Sequence, residues 1–130
     1  MGVCHTPPHY TNNALVPVNG FEVPEDQRRR YDILWTSIGT DPQLALLTRR
    51  GTGYYKVPSL QGLWYRGPFE HNGSIAILED WFDVRRLSDD YVPTGFKGVG
   101  VKVRAIKGHP YGLDLSQADR EALIAFLKTL

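Results

Sequence analysis

The clearest periodicity lies near the end of the chain. Ala122, Leu123, Phe126, Leu127 and Leu130 recur at i, i+1, i+4, i+5 and i+8, which is one face of a helix. Ser116, three residues before Asp119, starts that helix as a capping box with Asp in place of the better Glu. A second stripe, Tyr31, Leu34, Trp35 and Ile38, follows Pro24-Glu25-Asp26 and stops at Gly39. It predicts a helix over residues 25–38, with Pro24 as its first residue and the carboxylates at the positive end of the helix dipole. Asp41-Pro42 reads as the N-cap and first residue of a short helix ending near Thr48. Ser74 precedes Ile75, Leu78, Glu79, Trp81 and Phe82, which predicts an amphipathic helix capped by Ser74.

The intervals are of a different kind. Residues 1–24 are rich in Pro and Asn and read as loop, and residues 49–55 as a Gly-rich turn. Pro58, Gly62, Gly67, Pro68 and Gly73 allow at most one helical turn near residues 60–64. Residues 84–114 read as a long loop with one short strand at 100–106. The pattern thus predicts a mainly α chain, one domain over residues 1–130. Its loops are longer than a compact domain of this size ordinarily carries, as they are where they wrap something.

Composition narrows the choice of partner. A formal net charge of +1 excludes a general polyanion binder, so no nucleic acid is expected. The arginine groups Arg28–Arg30, Arg49-Arg50 and Arg85-Arg86 read as solvated surface. One cysteine permits no internal disulfide. No run is long and apolar enough to span a bilayer, and the first ten residues lack the apolar stretch of a signal peptide.

That cysteine sits in Val3-Cys4-His5. Covalent haem attachment uses C-x-x-C-H, in which the cysteines form thioethers and the histidine binds iron. Here the final Cys-His is present and Met1 stands at the first cysteine position. The other histidines are His9, His71 and His109, and Met1 is the sole methionine, so a His/Met haem within the chain is excluded. His9 lies too near His5 to reach the opposite face of a haem. His109, in Lys107-Gly108-His109-Pro110-Tyr111-Gly112, is either an exposed loop histidine or a sixth ligand. His71, in an Asn-Gly turn, fits a distal ligand, a hydrogen-bond partner in the pocket or a plain turn residue. Trp64, Tyr65 and Arg66 place apolar walls and a propionate donor side by side, and Arg85 and Arg86 are further propionate candidates.

Several segments, taken in order, carry a resemblance. They are Lys56-Val57-Pro58-Ser59-Leu60, Gly67-Pro68-Phe69-Glu70-His71-Asn72-Gly73-Ser74, Leu78-Glu79-Asp80, Leu115-Ser116 and the run from Leu123 to Leu130. Together they resemble the C-terminal haem domain of the bacterial di-haem cytochrome c peroxidase family. The resemblance covers most of the chain from residue 56 onward. It implies a cytochrome c-like helical domain with long haem-wrapping loops, haem c as cofactor, Cys4 as the second thioether cysteine and His5 as the proximal ligand. It places His71 near the haem and the Pro68 carbonyl at an interdomain calcium, although the partner residues of that calcium are not matched.

The departures from the family shape the functional expectation. Val84-Arg85-Arg86 stands where the family has its methionine ligand, so His109 is expected as the sixth ligand. Gln61 replaces the arginine that usually follows the Lys-x-Pro-Ser-Leu run. The peroxidatic domain is not matched, so peroxidase activity does not carry over to this chain alone. The resemblance implies an electron-transfer domain working with a redox partner protein or an adjacent haem domain. The alternatives are an electron-feeding or catalytic domain of a di-haem peroxidase or oxygenase, and a haem-free interaction module. The cut motif reads as a C-terminal fragment of a larger periplasmic protein. The apolar face of the last helix is then expected to pack on the 25–38 helix or to stay partly exposed.

Overall fold

Residues 14–18 build the first element. Ala14, Val16 and Val18 are buried at every second position, the period of a strand. Strand β1 (Leu15–Pro17) pairs antiparallel with β2 (Tyr54–Lys56), with Val16 opposite Tyr55. The pairing extends at both ends: the Val57 N–H donates to the Ala14 carbonyl and the Val18 N–H to the Gly53 carbonyl, both at 3.0 Å. Gly53 has φ +80°, and a Cβ there would enter the ring of Phe21, so both its conformation and the space around it demand glycine.

These observations come from a computed structural model that describes residues 4–47, 51–97 and 106–130. The chain divides into two compact units, Met1–Gln61 and Gly62–Leu130. The first contains the sheet and helices α1 (Glu25–Arg30) and α2 (Gln43–Leu47) around a core of Ala14, Val16, Val18, Ala45 and Val57. The second contains α3 (Leu78–Trp81), a 3-10 turn over Val84–Leu87 and α4 (Gln117–Leu127). Its core is Ile75, Leu78, Phe82, Ile124 and Leu127.

The fold is not the mainly α, cytochrome c-like helical architecture that the sequence suggests. The described chain is 26% helical, in four short α-helices and one 3-10 turn, and carries an antiparallel two-stranded sheet. The expected 25–38 helix shows why. It ends at Arg30, and Tyr31 is already extended at φ −126°, ψ 150°. Beyond it the Leu15 N–H donates to the Asp32 carbonyl and the Leu34 N–H to the Leu15 carbonyl, making a parallel bridge between Leu15 and Ile33. Pairing with a strand far away in sequence therefore satisfies the backbone that the apolar spacing would have wound into a helix.

Residues 74–82 depart in a related way. Ser74 does not cap a helix: it is fully buried, its hydroxyl accepts from the Ile106 N–H and its carbonyl from the Gly95 N–H. The bridge between Phe69 and Ile75 holds this stretch extended, and α3 starts only at Leu78. Residues 61–65 form turns without a helix. Asp41 does accept from the Gln43 N–H at 3.0 Å, where an N-cap should.

Helix α4 begins as expected, with the Ser116 hydroxyl accepting from the Asp119 N–H. Its buried side is rotated from the expected one. Ile124 and Leu127 are buried, Leu123 and Leu130 half-buried, and Phe126 is 48% exposed along with Ala122. Residues 3, 4 and 7 along from Arg120, the i+3, i+4, i+7 set, make the narrower stripe. The expected strand at 100–106 lies outside the described residues except for Ile106.

Candidate functional site

The segment around Cys4 and His5 is a closed loop. The Asn12 N–H donates to the Cys4 carbonyl at 2.8 Å, which brings the ends of residues 4–12 together. Inside it, His5 Nδ1 lies 3.0 Å from the Tyr10 carbonyl oxygen. A carbonyl only accepts, so Nδ1 is the donor, an arrangement that in a neutral imidazole leaves the lone pair on Nε2. This is how a metal-binding histidine is commonly fixed in tautomer and orientation. Cys4 is a half-buried free thiol on the preceding residue.

A second segment holds this loop. The Ser59 hydroxyl donates to the His9 carbonyl at 2.5 Å, the Leu60 N–H to the Tyr10 carbonyl at 3.3 Å, and Gln61 Nε2 to the Pro8 carbonyl at 3.2 Å. Thr11 Oγ1 donates in the opposite direction, to the Val57 carbonyl at 2.7 Å. The Pro-Ser-Leu-Gln run therefore acts as a row of donors along the loop. Gln61 is part of that row. The Tyr10 carbonyl serves both His5 and Leu60, one lone pair each.

The remaining candidates lie in the second unit. The imidazole of His109 is flanked by the rings of Trp81, at 5.4 Å between centroids, and Tyr111, at 5.2 Å. Beside it, Val84, Leu87 and residues 110–114 line an open groove of about 550 Å³. His71 is exposed on its turn, which is closed by the Gly73 N–H on the Glu70 carbonyl and the Ser74 N–H on the Asn72 side chain. Trp64 and Tyr65 are 69% and 65% exposed and meet edge to face at 4.8 Å, with Arg66 exposed next to them. They form an aromatic pair on the surface and not a packed core.

Neither Arg85 nor Arg86 is the open propionate donor that its position suggests. Arg85 is bound to its neighbour Asp83 through Nε and Nη2, at 2.6 to 3.0 Å, and that hydrogen bonding holds the Asp83 carboxyl below its ordinary pKa. Arg86 is fully buried. Its Nε donates to the Trp81 carbonyl at 2.6 Å, Nη1 to the Lys107 carbonyl at 2.5 Å and Nη2 to the His109 carbonyl at 2.7 Å. Its Cζ lies 4.7 Å from the centre of the Trp81 ring. Burial pulls its pKa below the ordinary guanidinium value, while the Glu70 and Asp83 carboxylates oppose that shift.

Neither the Arg86 hub nor the donor row at 59–61 is visible in the sequence. The partners of Arg86 are 5, 21 and 23 residues away and are all backbone atoms, whose identity no side chain advertises. The bond from Ser59 to His9 spans 50 residues. Among the described residues, no three His, Cys, Asp or Glu side chains converge as a metal site, which leaves the calcium expectation without a carboxylate cluster there. A haem iron takes four nitrogens from its own macrocycle and needs only one or two axial side chains. On the side of Cys4 and His5 the residues fit that requirement: a thiol, an adjacent imidazole, and a carbonyl fixing the imidazole tautomer. No helix among the described residues is long and apolar enough to cross a membrane. No protein-family model, curated protein or solved structure matches the chain.

Proposed function

We propose that this chain binds haem c covalently and transfers electrons. Cys4 would supply the single thioether and His5 the proximal ligand through Nε2. The observation that carries the reading is the hydrogen bond from His5 Nδ1 to the Tyr10 carbonyl, one residue from the only thiol in the chain. When bound, the haem supplies a one-electron redox couple. The chain's own contribution is to hold the His5 imidazole by its Nδ1 edge. The loop at 4–12 does this.

The test is export to a periplasm equipped for haem attachment, followed by a denaturing pyridine haemochrome spectrum. The expected outcome is haem that stays on the denatured chain, with the band position of a single thioether. Cys4→Ala should release it on denaturation. A wild-type chain that carries no covalent haem would sink the reading and leave the haem-free interaction module in its place.

A further inference from the structure

The dipeptide Asn-Gly occurs twice in the chain, at Asn19-Gly20 and at Asn72-Gly73. It is the asparagine context most open to attack by the backbone, because glycine carries no side chain to shield its own nitrogen. The two copies stand in opposite surroundings. Asn19 and Gly20 are exposed, at the centre of a turn closed by the Phe21 N–H on the Val18 carbonyl at 3.2 Å. Gly20 has φ +82°, the left-handed value for which glycine is suited in such a turn, and nothing lies within 4 Å of where its Cβ would be. Among the described residues, neither the Asn19 side chain nor the Gly20 N–H makes a hydrogen bond. Asn72-Gly73 is held from several sides. Asn72 Oδ1 accepts from the Ser74 N–H at 3.0 Å, and the Gly73 N–H donates to the Glu70 carbonyl at 3.1 Å. The Gly73 carbonyl accepts from the Phe96 N–H at 2.8 Å, and the next residue, Ser74, is fully buried.

We propose that Asn19 is a site of spontaneous deamidation in the folded chain, and that Asn72, in the same dipeptide, is kept intact by its hydrogen bonds. The Gly20 nitrogen gives its proton to a solvent base and attacks Cγ of Asn19. The new bond between that nitrogen and Cγ closes a succinimide ring, while the bond from Cγ to the side-chain nitrogen breaks and ammonia leaves. Water then opens the ring at either carbonyl, giving aspartate or isoaspartate. The net reaction takes up water and releases ammonia, with no oxidant or reductant. At Asn72 the same ring closure must first pull the Gly73 N–H off the Glu70 carbonyl and the Asn72 amide off Ser74. It must also turn a peptide whose carbonyl is tied to Phe96. The carboxylate formed at position 19 is ionised at neutral pH, so it cancels the formal net charge of +1. Isoaspartate also lengthens the backbone between Val18, whose N–H is paired with Gly53, and Phe21, whose ring meets that of Tyr54 edge to face. Asn19 is thereby a one-way, time-dependent change of charge and turn geometry at the end of β1. The proposal is independent of the haem reading.

The test incubates the purified full chain in mildly alkaline buffer, once folded and once unfolded in guanidinium chloride. Peptide mapping by liquid chromatography and mass spectrometry follows aspartate and isoaspartate at both sites, and far-UV circular dichroism checks the fold. The expected result in the folded chain is conversion more than about tenfold faster at Asn19 than at Asn72, which must wait for local opening. In denaturant the two sites should convert at comparable rates. Comparable rates in the folded chain overturn the proposal, and so does an Asn19 that converts only when the chain is unfolded. A gap between the sites that is as wide in denaturant as in the folded chain also overturns it, because the difference would then belong to the flanking sequence. Asn19→Gln supplies a second readout, since its longer side chain closes a larger ring far more slowly. The acidic form that accumulates on isoelectric focusing of the wild type should be lost in this variant, and its formation there at the wild-type rate overturns the proposal.

Discussion

The loop at residues 4–12 and the loop at 106–112 are held by the same kind of bond, a donor placed on a backbone carbonyl. They differ in how the donors are distributed. Three consecutive residues, Ser59, Leu60 and Gln61, share the first loop, and one of the three donors is itself a backbone N–H. A single side chain, Arg86, grips the second at two carbonyls and the neighbouring α3 at a third. A hold spread over several residues yields gradually to substitution. One gathered in a single buried cation is lost at once, because its removal leaves several carbonyls without their donor inside the core.

The largest expected effect comes from breaking the gathered hold. Arg86→Ala should cost about 3–5 kcal/mol, the range for removing one partner from a buried charged network. Chemical denaturation followed by far-UV circular dichroism measures it, and a loss below about 1 kcal/mol would mean that the three carbonyls find other donors. Gly108→Ala should come next, at about 1–3 kcal/mol, because an alanine there must accept a positive φ and also displace Glu70 or Trp81. For the shared hold, Ser59→Ala and Gln61→Ala should each cost only about 0.5–1.5 kcal/mol. Amide exchange should show residues 4–12 opening faster in each variant without global unfolding. Equal losses from Ser59→Ala and Arg86→Ala would erase the contrast.

The smallest effect is on pH dependence. The hydrogen bond from Arg85 holds the Asp83 carboxyl low, and a hydrogen bond from Lys128 does the same for Glu79. Each carboxyl is more acidic folded than unfolded. The stability each contributes is present above the unfolded carboxylate range, near pH 4, and is lost as pH falls through the lowered folded value. Arg85→Gln and Lys128→Gln should therefore lower stability slightly at neutral pH, flatten the acid limb of the stability curve and converge with the wild type at low pH. Salt should shrink both effects, since Arg85 and Lys128 are exposed.

The parts of this fold that local rules govern were legible. The Ser116 cap, the start of α2 at Asp41 and the acidic first turn of α1 each depend on residues within three or four positions of one another. The sheet was not. Ala14, Val16 and Val18 alternate with Leu15 and Pro17, so no polar contrast marks the strand, and its partner lies beyond two helices. Tyr31, Leu34, Trp35 and Ile38 carry a helical period, yet distant backbone groups at Leu15 claim that segment. The site divides along the same line. Cys4 and His5 stood out as a motif, whereas the Tyr10 carbonyl and the Arg86 fork are matters of backbone placement across the chain.

The loop between Cys4 and Asn12 has a further consequence for how the chain can change over generations. Pro8, His9 and Tyr10 are gripped by their carbonyls, a feature that every amino acid carries. The identities of those three side chains are therefore largely decoupled from the hold on the loop. Variation can explore that rim, altering its polarity and its shape toward passing molecules, while the imidazole of His5 keeps its tether. Libraries randomised at residues 8–10 should yield many folded members, and libraries randomised at the side-chain donors Ser59 and Gln61 should yield fewer.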